Sequence, residues 1–123
     1  MTAVLYGIKN CDTVKKARTW LEQHRIEYRF HDFRGDGLDQ TQALAWLREL
    51  GADTLINRRG TTWKQLDAKA RASVEAAQDD NAIAALLVEQ PTLIKRPLLD
   101  IGHQRSVGFS TGAYETIFKK HTL

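Results

Sequence analysis

Ala3-Val4-Leu5-Tyr6-Gly7-Ile8-Lys9-Asn10-Cys11-Asp12-Thr13-Val14 passes from strand to helix within a few residues. Ala3 to Tyr6 form an unbroken apolar run, the pattern of a buried strand. Gly7 to Asn10 read as a short loop. From Asn10 the period changes. Val14, Ala17 and Leu21 share one helical stripe with Trp20 beside it, while Lys15, Lys16, Arg18 and Glu22 take the wet side. Asn10 is the expected N-cap, which puts Cys11 in the first helical turn. Glu27-Tyr28-Arg29-Phe30-His31-Asp32-Phe33 then alternates at period two and predicts a second strand. Strand, helix and strand together span about 30 residues, the usual length of a parallel crossover.

Downstream the signals are mostly helical. Gly35-Asp36-Gly37 marks a turn, and Asp39 followed by Gln42 resembles a capping box. Leu44, Leu47 and Leu50 predict the buried face of the next helix, with Gly51 as its terminator. Asp53–Asn57 suggests a further helical turn or two, closed by Gly60. The alanine-rich segment Asp67–Ala77 has high helix propensity and little large apolar cargo, so a surface helix is expected. Asp79 or Asp80 starts another helix with Ile83, Leu86 and Leu87 inward, and Pro91 stops it. Leu98, Leu99 and Ile101, then Arg105, Val107 and Phe109, read as two short strands forming a hairpin around Gly102-His103. Ser110 caps a last helix carrying Tyr114, Ile117 and Phe118. The expected order is β-α-β, a helical block over about residues 38–92, then β-β-α, with helices covering both faces of a small mixed four-stranded sheet.

Composition bounds the rest. A chain of 123 residues, 42% hydrophobic and 27% charged, suits a single domain over residues 1–123. Its one cysteine excludes an internal disulfide. The opening Met1 to Tyr6 lacks the basic region of a signal peptide. The longest apolar runs, such as Ala82–Val88, fall far short of the roughly 20 residues a membrane crossing takes. A cytoplasmic location is expected, where a free thiol is stable. The net charge of +3 is a mild excess without a dense single-sign block, which argues against a nucleic-acid arm. No heptad seam is present, so a monomer is the default expectation. His24, His31, His103 and His121 show no metal-ligand spacing, and serine-nucleophile and phosphate-loop motifs are absent.

That leaves the thiol. Free cysteine is often a small buried hydrophobe. Cys11, however, follows a loop, lies between Lys9 and Asp12, and opens a helix whose unpaired N–H groups favour a thiolate. Asp12 opposes that effect if its carboxylate turns toward the sulfur. Thr13 either donates to a bound anion or supports the first turn. Arg58 and Arg59 either flank an anion site or are solvated near Gly60; the guanidinium fork suits a carboxylate or oxyanion. Lys9, Lys15 and Arg105 rank below them. Trp20, Trp46 and Trp63 are most simply packing residues.

Three passages carry a family resemblance: Tyr6-Gly7-Ile8-Lys9-Asn10-Cys11-Asp12-Thr13, Leu55-Ile56-Asn57-Arg58-Arg59-Gly60-Thr61-Thr62-Trp63, and Leu93-Ile94-Lys95-Arg96-Pro97-Leu98. In that order and spacing the chain resembles the arsenate reductase, Spx and YffB group of thioredoxin-like proteins, from about residue 3 to residue 119, with the YffB branch nearest. The resemblance implies an α/β thioredoxin-like fold with a cis-proline, Pro97, facing the nucleophile Cys11. It also implies an anion-binding Arg96 before that proline, and Thr13 matches a threonine just after the nucleophile; Asn10, a cap that could also contact a bound group, and Arg58, adjacent to a family arginine position, are further candidate substrate contacts. The YffB branch implies a glutathione-dependent thiol reductase, with glutathione or another small thiol as co-substrate, an oxidised protein as substrate and no tightly bound cofactor. The alternatives are a glutaredoxin-linked arsenate reductase and a non-catalytic Spx-like regulator that docks a larger protein such as RNA polymerase. The arsenate reductases place a histidine where this chain has Gly7, an arginine at Asn57 and another near Gly108, with Arg105 about three residues away. Spx proteins often place a second cysteine where this chain has Val14. These departures weigh against both alternatives.

Overall fold

The computed structural model describes residues 3–76 and 79–121. Its secondary structure falls into two compact units, residues 1–32 with 96–123, and the intervening Phe33–Lys95. The first unit carries the sheet. Strand β1 (Ala3–Gly7), helix α1 (Asp12–Gln23) and strand β2 (Tyr28–Asp32) form the expected crossover, with β1 and β2 parallel from Ala3↔Tyr28 to Gly7↔Asp32. After the second unit, β3 (Leu98–Asp100) runs antiparallel to β1, pairing Tyr6 with Leu98 and Val4 with Asp100. Strand β4 (Arg105–Val107) completes a four-stranded mixed sheet of order β2-β1-β3-β4.

The pleat explains what packs where. Ala3, Leu5, Leu99 and Ile101 join Val14, Ala17, Trp20 and Leu21 of α1 in one buried cluster. Tyr114 and Phe118 of the last helix (Thr111–His121) belong to the same cluster. Trp20 meets Tyr114 edge-on at 5.5 Å and stacks on Phe118 at 5.7 Å. Tyr6 and Leu98 alternate to the opposite face of the sheet and are buried too. Each buried large apolar side chain contributes about 1.5–3 kcal/mol, so the stripe read from the sequence is what fixes α1 on the sheet.

Helix α1 starts one residue later than its period suggests. Cys11, not Asn10, is the N-cap residue, with extended backbone (φ −122°, ψ 121°), and its carbonyl accepts the Lys15 N–H at 3.0 Å. At the other end Ile26 N–H donates to Leu21 O and Arg25 N–H to Glu22 O, a Schellman closure with Arg25 left-handed at φ 54°. The β3–β4 hairpin forms as expected, but Ile101 and Phe109 fall just outside its two strands. Ser110 Oγ accepts the Ala113 N–H at 3.1 Å and caps the last helix.

The second unit is helical: α2 (Phe33–Asp36), α3 (Gln40–Leu50), α4 (Ala52–Leu55), α5 (Thr61–Gln65), α6 (Ala68–Ala76), α7 (Asp80–Glu89) and a 3-10 turn at Pro91–Leu93. The last helix (Thr111–His121) is therefore α8. Four readings need correction. Phe33, expected to end β2, opens α2 and buries its ring against Trp46. Asp39 is the N-cap residue of α3 but makes no side-chain cap bond, so the capping box does not form. The buried face of α3 is Ala43, Trp46 and Leu47, with Leu44 and Leu50 only half-buried, because the indole outweighs either leucine in apolar area. In α7 the small Ala84 takes the inner place expected for Leu86, which is half-buried. Asp79 caps α7 by accepting the N–H groups of Asn81 and Ala82. Helix α6 buries only Val74, as a surface helix should; the expected continuation to Ala77 lies outside the described residues. Ile56 bridges Ile94, and Asn57 N–H donates to Leu93 O at 2.7 Å.

Candidate functional site

The end of the sheet where β1 stops at Gly7 is also where β3 begins, because the two strands are antiparallel. Cys11 is the last residue of the four-residue connection between β1 and α1, and Arg96-Pro97 immediately precedes β3. The topology thus brings Asn10, Cys11, Thr13, Arg96 and Pro97 to one end of one unit. The Arg96–Pro97 peptide is cis, as the resemblance implied. Pro97 is buried, and its carbonyl accepts the Gly108 N–H at 2.9 Å, extending the β3–β4 ladder one step past Leu98↔Val107.

Cys11 is half-buried and packs partly against the first unit's core. Its thiol accepts no hydrogen bond from the first turn of α1, although the N-cap position is where a side chain meets those donors. Asp12, the acidic residue of that turn, is exposed. Asn10 is exposed and displaced from the cap. Thr13 is half-buried and one position inside the helix. Arg96 is half-buried, and its Nε is among the buried polar atoms.

Close packing shapes the loop before the thiol. A Cβ added to Gly7 would lie 2.8 Å from Val14 Cγ2, nearer than real Cβ atoms come, and Val14 is itself fully buried. Glycine at position 7 and valine at position 14 are one interlocking contact between β1 and α1.

Arg58 belongs to the helical unit, where it has partners of its own. Its guanidinium donates to Asp53 Oδ1 at 2.7 Å and lies over the Trp63 ring at 5.6 Å, while its Nε is buried without a hydrogen bond. Asp53, Arg58, Arg59 and Lys95 line a cavity of about 270 Å³ in that unit. The Asn57 side chain holds its local turn by accepting the Arg59 N–H. Asp53 and Lys95 were not singled out from the sequence. Asp53 stands five positions before Arg58 across a turn that no helical spacing rule links, whereas Lys95 reaches the cavity through the Ile56↔Ile94 bridge. Arg105, ranked low, is tied to Asp100 at 3.4 Å and to Gly102 O at 3.1 Å, which braces the hairpin. Among the described residues no group of three or more His, Cys, Asp or Glu side chains is arranged to hold a metal. No helix among them is long and apolar enough to cross a membrane.

A thiol at the start of the first helix, at the sheet end where a cis-proline leads into a strand, is a redox-type thioredoxin-like arrangement, and similarity to known proteins agrees with it. An uncharacterised protein of Haemophilus influenzae is 43% identical over 114 residues, covering 93% of this chain and 96% of its own. A YffB protein of known structure is 44% identical and superimposes with a TM-score of 0.84, over 93% of this chain and 96% of its own. The global transcriptional regulator Spx 2 of Bacillus cereus is 26% identical over 109 residues, 87% of this chain and 79% of its own. The ArsC family model matches residues 6–117, and with that span, this sheet and this cysteine the chain belongs to the ArsC family of the thioredoxin superfamily.

Proposed function

We propose that this chain is a glutathione-dependent thiol–disulfide oxidoreductase with Cys11 as its nucleophile. The observation that carries the reading is the position of the one thiol: half-buried at the N-cap of α1, at the sheet end that the cis Arg96–Pro97 step enters. The thiolate is the attacking form of this cysteine, and the first-turn N–H groups of α1 lie beside its position. That thiolate attacks the glutathione sulfur of a glutathionylated protein. A Cys11–glutathione disulfide forms, and the protein leaves as its thiolate and takes up a proton. A second glutathione thiolate then attacks the glutathione sulfur of the mixed disulfide, releasing oxidised glutathione and restoring Cys11. The external thiol is required because the chain has no second cysteine to resolve the adduct.

In this scheme Arg96 pairs with the developing thiolate or with a glutathione carboxylate, and Pro97 fixes the backbone beside the mixed disulfide. Thr13 and Asn10 contact the bound tripeptide. Intact-mass spectrometry after exposure to oxidised glutathione tests the reading. One glutathione adduct, absent in Cys11→Ser and removed by reduced glutathione, is expected. No adduct on the wild-type chain would end the proposal.

Likeness to the Spx 2 regulator favours a second reading, in which the thiol senses oxidation and the surface docks a larger protein. A specific partner captured equally by wild type and Cys11→Ser would support it. Arsenate reduction would use the same thiol. A rate with arsenate, glutathione and glutaredoxin no greater than that of Cys11→Ser would exclude it.

A further inference from the structure

Helix α1 presents one side to a groove it shares with the β4–α8 junction. The groove holds about 370 Å³, with Trp20 and Phe109 as its apolar wall and Lys15 and Lys16 at its rim. Phe109 is half-buried, its ring held edge-on against Tyr114 at 4.7 Å and 87°, so the wall is anchored in the core. The remaining lining is Thr19, Gln23 and Thr111, and no carboxylate is among it. Neither lysine ammonium has an ion-pair partner among the described residues, and both residues are exposed. The groove therefore sets two exposed lysines without ion-pair partners among the described residues beside aromatic surface, with the exposed Asp12 one turn before them on α1.

Its location gives this a meaning. Val107 pairs with Leu98 at the sheet end where β1 stops, so Phe109 and the start of α8 lie at the Cys11 end. Lys15 and Lys16 stand one turn along α1 from Cys11, roughly 6–8 Å of axial rise. An extended peptide, advancing about 3.3 Å per residue, covers that distance in two or three residues. Trp20 lies roughly 13 Å along, about four residues of such a peptide.

We propose that this groove docks the polypeptide flanking the oxidised cysteine of an acidic protein substrate, with carboxylates two to four residues from that cysteine against Lys15 and Lys16 and a neighbouring apolar side chain against Trp20 and Phe109. The inference rests on Cys11 being the nucleophile and adds the substrate class. It divides the labour: the Cys11 site handles glutathione and the groove selects the protein. Charge of this kind acts mainly on encounter and specificity, and salt screens it.

Two nine-residue peptides test it: Leu-Glu-Glu-Gly-Cys-Gly-Glu-Glu-Leu, which presents its carboxylates in either chain direction, and the same peptide with glutamine for every glutamate. Fluorescence anisotropy with the peptide cysteine replaced by serine measures docking independently of thiol chemistry. The acidic peptide should bind wild type about tenfold more tightly than the glutamine peptide at low salt. Lys15→Gln/Lys16→Gln should abolish that preference, as should 0.5 M salt, while Phe109→Ala should weaken both peptides. With the glutathionylated cysteine peptides, the double lysine variant should lower kcat/KM about three- to tenfold for the acidic peptide alone and leave adduct formation with oxidised glutathione unchanged. Equal binding of the two peptides to wild type overturns the groove proposal even if Cys11 forms its adduct. An equal fall in the glutathione reaction also overturns it, because the lysines would then serve glutathione itself. Failure of the adduct with the binding preference intact would refute the redox reading and leave the groove as an acidic-peptide site.

Discussion

Replacing Arg96 by methionine keeps much of its stem and removes its charge, which separates a guanidinium acting on the thiol from one that merely packs. The side chain is half-buried with its Nε enclosed, so its electrostatic effect is less screened than that of an open surface pair. Arg96→Met should slow both alkylation of Cys11 by iodoacetamide at fixed pH and turnover with glutathione, by about three- to tenfold, while the far-ultraviolet circular dichroism stays unchanged. Arg96→Lys should recover part of the alkylation rate, since charge suffices there, and less of the glutathione turnover, which depends on a planar fork. Equal alkylation rates across the three proteins would remove Arg96 from the site. At this scale the sequence was informative about chemistry and less so about position. Cys11 was legible because it is the only thiol and follows a loop, whereas the one-residue error at the cap arose because Asn10 is the better capping type. Arg58 was legible only as a charge, since its partner Asp53 is set by the turn between α4 and α5.

At the level of the elements, α1 ends with a non-glycine residue in the left-handed region. Arg25 holds φ 54° so that Ile26 can return its N–H to Leu21 and pack against the core. A left-handed L residue carries a penalty of about 1–2 kcal/mol. Arg25→Gly should therefore stabilise the protein by about 0.5–1 kcal/mol, after allowing for the extra freedom glycine gives the unfolded chain. A denaturant midpoint equal to or below that of wild type would show that the arginine stem contributes more than its backbone costs. Elements with strong periodicity were legible in advance: β1, α1, the hairpin and α8 all follow from apolar spacing and turn residues. The phases of α3 and α7 were not. Both contain more apolar residues than one face can hold, and tertiary packing chose Trp46 over Leu44 and Ala84 over Leu86.

For the molecule as a whole, one buried hydroxyl sets an alkaline limit on stability. Tyr114 is almost fully enclosed, and its Oη is buried with no hydrogen-bond partner. Burial raises its pKa above the ordinary 10.0. The folded state therefore holds the phenolic proton more tightly than the unfolded chain, and that contribution is complete below pH 10 and is lost as pH climbs above it. Tyr114→Phe should raise stability by about 1–3 kcal/mol near neutrality, the cost of an unsatisfied buried polar group, and should flatten the decline above pH 10. Chemical denaturation from pH 7 to 11 reads both effects, and identical curves would mean the hydroxyl is solvated after all. The order of elements across the chain could be read from the sequence, and so could the family, because three separated passages agreed. The Lys15–Phe109 groove could not, since it joins α1 to a junction some 90 residues away in a register that only the folded sheet defines. The Gly7–Val14 contact has a consequence of its own for which related sequences this fold can reach. The two positions where the resemblance would put an upstream histidine and a second thiol are filled by residues that touch each other. Substitutions there cannot be tried one at a time: Gly7→His in the native background drives a side chain into a packed valine, while Val14→Ala first opens room and leaves a cavity. A double-mutant cycle on thermal stability should show Gly7→His/Val14→Ala costing at least about 1 kcal/mol less than the sum of its parts. The route from this sequence to its better-armed relatives would then cross a valley of unstable intermediates, with order of change as decisive as the changes themselves.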